Sequence, residues 1–273
     1  MLLNIAEIHV GGRTLFTVAI SDITEAKKAE VAKGEFISIV SHELRTPLTS
    51  IRGALSLLAS ETTGALTAEA AKLTRIAQRN CERLLRLVND ILAIDKLDAG
   101  RFEMALQPVD LGALLADAVA ANALYAAKYE VRFRLVTDPN LPAVIADPER
   151  LMQVMANLLS NAAKFTRPGT EVDVVARHAG RTAHISVRDR GSGIPEALRE
   201  RIFDKFVQGE NVNTRGHEGS GLGLSITRKM VALMNGEISF HSEAGNGTTF
   251  TVSLPVAEID RKQIQETPHE TRP

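Results

Sequence analysis

From Ile37 onward the apolar residues fall in two rows spaced by seven: Ile37, Leu44, Ile51 and Leu58, then Val40, Pro47 and Ala54. This a/d pattern holds over three heptads and predicts a long helix with one apolar stripe. Further along, Ala77, Leu84 and Ile91 form a second pair of rows with Leu73, Asn80, Leu87 and Ile94. They predict a partner helix, capped by Thr67 or a neighbour at the end of the loop SETTGALT. Such a hairpin carries an apolar stripe too wide to stay exposed, and two hairpins make a four-helix bundle, so a homodimer is expected over residues 36–100. Upstream, the same register puts Ile23, Ala26, Glu30 and Lys33 in the seam, and the pattern decays. Residues 22–35 therefore read as a linker helix, starting at Asp22 with Glu25 at capping-box spacing. Before it, RTLFTVAI (13–20) reads as one strand with no evident partner, and residues 1–21 as the end of a larger sensory domain.

After Asp98-Ala-Gly100 the period changes. A helical stretch over 110–129 precedes a strand, VRFRLV, and a helix opened by Asp147 as N-cap with Pro148 at the first helical position. Two strands, EVDVVARHA and TAHISVRDR, join through a turn at Gly180. A glycine-rich segment, a helix SITRKMVALMN and a hairpin EISFHSEAGNGTTFTVSL follow. Residues 101–258 thus form an α/β domain separate from the bundle, and the polar tail 259–273 is expected to be disordered.

Composition narrows the function. The chain has 273 residues, room for about two domains. Its 32 Lys and Arg against 33 Asp and Glu give no basic field for nucleic acid. One cysteine, Cys81, and seven scattered histidines argue against a Cys/His metal site and fit a reducing compartment. No apolar run approaches the roughly 18 residues of a membrane span, and no signal peptide is evident. A cytoplasmic chain without direct membrane insertion is expected.

Three constellations in the second domain carry chemistry. On the helix LMQVMANLLSNAAKFT, Leu151, Val154, Leu158, Ala162 and Phe165 make the expected buried stripe. Gln153, Asn157, Asn161 and Lys164 make a polar one. A solvated face is the plain reading, yet such faces favour Glu, Lys and Arg over Asn. In line, two amides and an ammonium suit Mg²⁺ and phosphate. Asp189-Arg-Gly191-Ser-Gly193 is either an ordinary turn or a place where backbone approaches a planar ligand while Asp189 accepts from an amino group. Gly219, Gly221 and Gly223 run into a helix N-terminus, a natural phosphate cradle, after a polar segment with Arg215 that suits a lid. Neither a Rossmann nor a Walker spacing occurs.

In order along the chain, SHELRTPLTS, NLLSNAAKF, DRGSGIP, IFDKF and GSGLGL resemble the H, N, G1, F and G2 boxes of sensor histidine kinases of two-component systems. The resemblance covers residues 22–257, and LFTVAISDITEAKKAE (15–30) is similar to the end of a PAS sensor domain. It implies an α+β multidomain chain: a dimeric phosphotransfer bundle followed by an α/β-sandwich with the Bergerat ATP-binding fold shared with gyrase and MutL. It implies ATP and Mg²⁺ as cofactors and the receiver domain of a response regulator as partner. Asn161 would ligate Mg²⁺, Asn157 and Lys164 would lie near the phosphates, and Asp189 would take the adenine amine. Gly191 and Gly193 would shape the base pocket; Gly219, Gly221 and Gly223 would line the lid, with Phe203 and Phe206 packing it. Glu218 departs from the glycine many members carry before the G2 box.

His42 falls at heptad position f, away from the seam, so it reads as a surface residue, and beside an ATP domain as the phosphoacceptor. Glu43 can hold one ring nitrogen and leave the other free to attack. Pro47 deletes one helical hydrogen bond, yet the heptads continue, which predicts a bent helix rather than an ended one. Thr46, one turn after His42, resembles the E-x-x-T pattern of members that dephosphorylate their own regulator. A catalytically silent dimeric scaffold and a non-phosphorylating ATPase of the gyrase type are the competing classes.

Overall fold

The computed structural model describes residues 2–10, 13–22, 24–60, 64, 66–207 and 220–257, and the chain divides into two compact units at Phe102–Glu103. In the first, β1 (Leu2–Val10) and β2 (Arg13–Ser21) pair as an antiparallel hairpin, with Ile5 opposite Val18 and Glu7 opposite Phe16. The 13–20 strand thus has a partner. LLNIAEIHV hid it because its apolar residues fall on both faces instead of alternating. Helix α1 (Thr24–Ala59) begins two residues after Asp22, and the linker expectations at Ile23, Ala26, Glu30 and Lys33 concern side chains outside the described residues.

Helix α2 (Ala68–Asp98) starts at its expected cap, where Thr67 accepts from the Ala70 N–H at 3.2 Å. The two helices meet along a row beside the a/d rows. Ser41 is buried and Leu48 and Leu55 are half-buried, facing an α2 side that buries Thr74, Cys81, Leu85 and Val88. Across this seam the Cys81 thiol donates to the Leu48 carbonyl at 3.0 Å and Arg45 donates to Asn89 at 2.8 Å. Most of the a/d residues stay outside: Leu44, Ile51 (50% exposed), Leu58, Leu73 (62%) and Leu84 are all open in one copy. Helix α1 continues through Pro47. On either side of it, hydroxyls bond back along the turn, Thr46 to the His42 carbonyl and Ser50 to the Thr46 carbonyl, each at 3.3 Å.

The second unit runs β3 (Gln107–Val109), α3 (Leu111–Ala121), α4 (Ala123–Lys128), β4 (Arg132–Thr137), β5 (Val144–Ala146), α5 (Pro148–Phe165), β6 (Glu171–Ala179) and β7 (Thr182–Arg188). It ends with α6 (Glu196–Arg199), α7 (Gly223–Leu233), β8 (Glu237–Glu243) and β9 (Gly247–Pro255). Strands β4-β6-β7-β9-β8 make one mixed sheet in which only β4 and β6 are parallel. Alternation decides its faces. Val172, Val174, Ala176, Ala183, Ile185, Val187, Val252 and Leu254 turn inward under helices α3, α5 and α7, which bury Leu115, Leu151, Met155, Leu158 and Met230. The opposite face is polar, with His184 bonded to Ser253 and Ser186 to Thr251.

Two local expectations are corrected. The 110–129 helix breaks at Asn122, whose amide donates to the Ala118 carbonyl at 2.8 Å and so competes with the helical ladder. Phe165, in the last position of α5, is 51% exposed rather than buried. Among the described residues no helix is long and apolar enough to cross a membrane. The 259–273 tail lies outside the described residues.

Candidate functional site: a nucleotide pocket and an exposed histidine

Helix α5 is the hub of the pocket. Asp147 anchors its start by accepting from the Arg150 and Ala105 N–H groups through its two oxygens. Asn157 lies half-buried on the side facing α7 and donates to the Thr227 hydroxyl at 2.8 Å. A side chain at Gly223 would meet the Asn157 amide at 2.5 Å, so the glycine lets the start of α7 rest directly on it. Asn161 donates to Asn157 across 3.5 Å through its amide nitrogen, and Lys164 follows one turn on. At the far end of α5 the Phe165 carbonyl lies where a side chain on Gly191 would have to go. The N-box helix thus touches both glycine-bearing segments.

Asp189 follows β7 and is buried. Its Oδ1 accepts from the Gly191 N–H at 2.8 Å and the Thr248 N–H at 3.2 Å. Burial raises the carboxyl above the ordinary Asp range, and these backbone donors offset that only in part. Both bonds end on Oδ1, so Oδ2 is left for an outside donor. Beyond it Gly193 has φ +75° and lies against the Glu243 carbonyl, where any side chain would collide. Ser242 completes the wall, accepting from the Ile194 N–H at 2.7 Å and bonding Thr248.

Phe203 packs edge-on against Phe240 and Phe250 with Arg228 over its ring. The lid against which Phe206 is expected to pack lies outside the described residues. The Phe206 ring is 67% exposed, its backbone is left-handed at φ 64°, and its N–H donates to the Gly221 carbonyl at 2.9 Å. Gly219, Glu218 and Arg215 lie outside the described residues.

In the first unit His42 projects from α1 with its side chain 74% exposed. Its Nδ1 lies 3.4 Å from Glu43 Oε1, and no described residue engages Nε2. Residues that sequence reasoning did not single out include Thr227, Ser242, Thr248 and Arg190. Thr227, Ser242 and Thr248 reach the site from positions distant in sequence, so no local spacing marks them; the AGNGT turn before Thr248 is the nearest to a signal. Arg190 lies within the G1 stretch beside Asp189, but its partner Asp173 is on another strand.

The residues present fit a purine nucleotide with a divalent ion. A buried carboxylate with one oxygen spare suits an exocyclic amine, and glycines admit a flat ring. Among the described residues no group of three or more His, Cys, Asp or Glu could hold a metal ion. The Asn161 amide oxygen is of a kind that suits a magnesium ion, which commonly binds few protein oxygens and keeps phosphate and water.

The family described as His Kinase A (phospho-acceptor) domain matches residues 32–100. The family described as Histidine kinase-, DNA gyrase B-, and HSP90-like ATPase matches residues 146–258. This chain belongs to the histidine kinases. The chain is 38% identical over 232 residues to the circadian input-output histidine kinase CikA of Synechococcus elongatus, covering 84% of this chain and 31% of that protein. It is 34% identical over 243 residues to the sensor histidine kinase WalK of Bacillus subtilis, covering 88% of this chain and 39% of that one. The chain thus spans about a third of the curated relatives it matches. Among solved structures, full-length ShkA in complex with AMPPNP superposes with a TM-score of 0.68 at 34% identity, over 82% of this kinase and 46% of that chain. The α/β-sandwich expected from the sequence is the fold of these kinases.

Proposed function

We propose that this chain is the catalytic core of an ATP-dependent sensor histidine kinase that phosphorylates itself on His42 and passes the phosphoryl group to an aspartate on the receiver domain of a response regulator. The observation that carries the reading is an exposed imidazole with one nitrogen near a carboxylate and the other met by no described residue, in a chain whose second unit buries the Asp189 carboxylate behind glycines. With its proton on Nδ1, His42 attacks the γ-phosphorus through Nε2. The bond from phosphorus to the β–γ bridging oxygen breaks, ADP leaves with the electron pair, and the Nδ1 proton passes to Glu43. Asp189 holds the adenine amine through Oδ2. Lys164 neutralises developing phosphate charge. Asn161 holds the magnesium ion, which supplies charge neutralisation on the phosphates when bound. Incubation with γ-labelled ATP should yield acid-labile, base-stable label. No label would return the chain to the silent-scaffold class, and turnover of ATP without label to the gyrase-like class.

The exposed a/d rows support a homodimer built on the helical hairpin. Light scattering of the full chain is expected to give a dimer mass, and Ile51→Glu, which places a charge in that row, a monomer. The exposed Leu3, Ile5, Phe16 and Val18 support reading the β1–β2 hairpin as part of a larger PAS-like sensor domain. ATP as donor and an unpaired Cys81 support a cytoplasmic site of action.

Thr46 supports a second activity on the same surface. Its hydroxyl spends its bond on the His42 carbonyl at a long 3.3 Å, a contact readily exchanged for a water aimed at a phospho-aspartate. Thr46→Ala is expected to keep autophosphorylation and transfer but to slow regulator dephosphorylation by on the order of tenfold or more. Decay of purified phospho-regulator with ADP and Mg²⁺ measures it, and parental decay rates would leave Thr46 a structural role.

A further inference from the structure

Asp189 can select an amine only if its carboxylate is held in place. The Gly191 and Thr248 N–H groups hold its Oδ1, and the residue next to it ties down the segment that carries it. Strand alternation sends Asp189 and Arg190 to opposite sides of the sheet. Ala183, Ile185, Val187 and then Asp189 are buried on the helix-covered side. Arg190 therefore emerges on the open side, where β6 presents Asp173, itself only 6% exposed. The Arg190 guanidinium donates to Asp173 Oδ2 at 2.7 Å and also to the Glu171 carbonyl. Asp173 Oδ1 is taken by Arg134 from β4, at 2.7 Å from Nε and 2.6 Å from Nη2. The Arg190 backbone N–H donates to the Thr166 hydroxyl just past α5, at 2.9 Å. The segment carrying Asp189 is thus tied to α5 by its backbone and to β6 by its side chain.

We propose that Arg190, clamped by Asp173, is a positioning residue that sets the adenine selectivity of Asp189. The clamp is a buried carboxylate shared by two guanidinium groups, an arrangement that tolerates loss of neither charge easily. Removing Arg190 frees the turn to rotate. The carboxylate then no longer meets the amine along its lone pair, while the glycines and phosphate-facing residues are untouched.

This rests on the reading that Asp189 takes the adenine amine, and the test keeps the two apart. Calorimetry compares ADP with inosine diphosphate, which lacks that amine, on the full chain and on Arg190→Met, Asp173→Asn, Asp189→Asn and the Asp189→Asn/Arg190→Met pair. Arg190→Met and Asp173→Asn should each weaken ADP binding about tenfold and leave inosine diphosphate affinity unchanged. In the Asp189→Asn background, Arg190→Met should add nothing, because the group it positions is gone. Equal losses for both nucleotides would reduce the clamp to general folding support, and unchanged ADP binding in Arg190→Met would overturn the proposal. If Asp189→Asn itself binds ADP normally, the pocket assignment fails, whatever Arg190 does.

Discussion

His42→Gln is expected to abolish phosphorylation of the chain while leaving ADP affinity within about twofold of the parent, since the two sites lie on separate units. Glutamine keeps the size and polarity of the side chain but offers no ring nitrogen with a free lone pair. The position is 74% exposed, so the change removes no packing and the fold should be unaffected. Electrophoresis after γ-labelled ATP gives the first quantity and calorimetry with ADP the second. Acid-labile label on the variant would move the phosphoacceptor elsewhere, and loss of ADP binding would show that the units are not independent.

Asp189→Asn separates binding from stability. Asparagine can keep both backbone bonds through its carbonyl oxygen, but it turns an amide N–H₂ toward the adenine amine, donor against donor. Nucleotide affinity should fall by roughly a hundredfold, the scale of a lost charge-assisted bond plus an unpaired donor. The sign for stability is opposite. Burial raises the Asp189 carboxyl in the folded state, so the folded chain holds that proton more tightly than the unfolded chain does. Stability is then lost as pH rises from the ordinary Asp range through the raised value, and at neutral pH the ionised carboxylate weakens the fold. The variant should therefore melt higher than the parent at pH 7 in the absence of nucleotide. Below the ordinary carboxylate range, where Asp189 is protonated in both states, the two should converge. A variant that binds poorly and melts lower at pH 7 would mean that the side chain serves the fold first.

What the sequence made legible follows from where the information sits. The heptad rows of α1 and α2 announce helices because the signal is local and repeated. Asp147-Pro148 and Thr67 marked helix starts that the structure shows at those residues. Spacing alone left the G1 glycines open as an ordinary turn. The reason for the G1 and G2 glycines is a close approach, of backbone at Gly191, Gly193 and Gly221 and of the Asn157 amide at Gly223. Less was visible where the determinant is a distant partner. The hairpin seam runs through Ser41, Leu48 and Leu55, a row with mixed polarity that periodicity passes over in favour of the more apolar rows beside it. Strand β1 became readable only through its pairing with β2, and Asn122 breaks a helix that composition alone favours. The left-handed backbone of Phe206 and the bond from its N–H to Gly221 carried no signal, since a non-glycine residue does not announce a positive φ. Arg190 carried no signal, because its partner Asp173 lies in another strand.

The open rows Leu44, Ile51, Leu58, Leu73 and Leu84 also bear on how much of this protein a cell makes. If a second copy covers them, assembly of the phosphoacceptor surface obeys mass action, and the fraction assembled depends on copy number. Scarce chains would separate into hairpins with a sticky apolar flank, prone to misassociation and to proteolysis. The nucleotide-binding unit has no such dependence, because its apolar face is closed by its own helices. Abundance itself would then set how much of the phosphoacceptor surface is assembled.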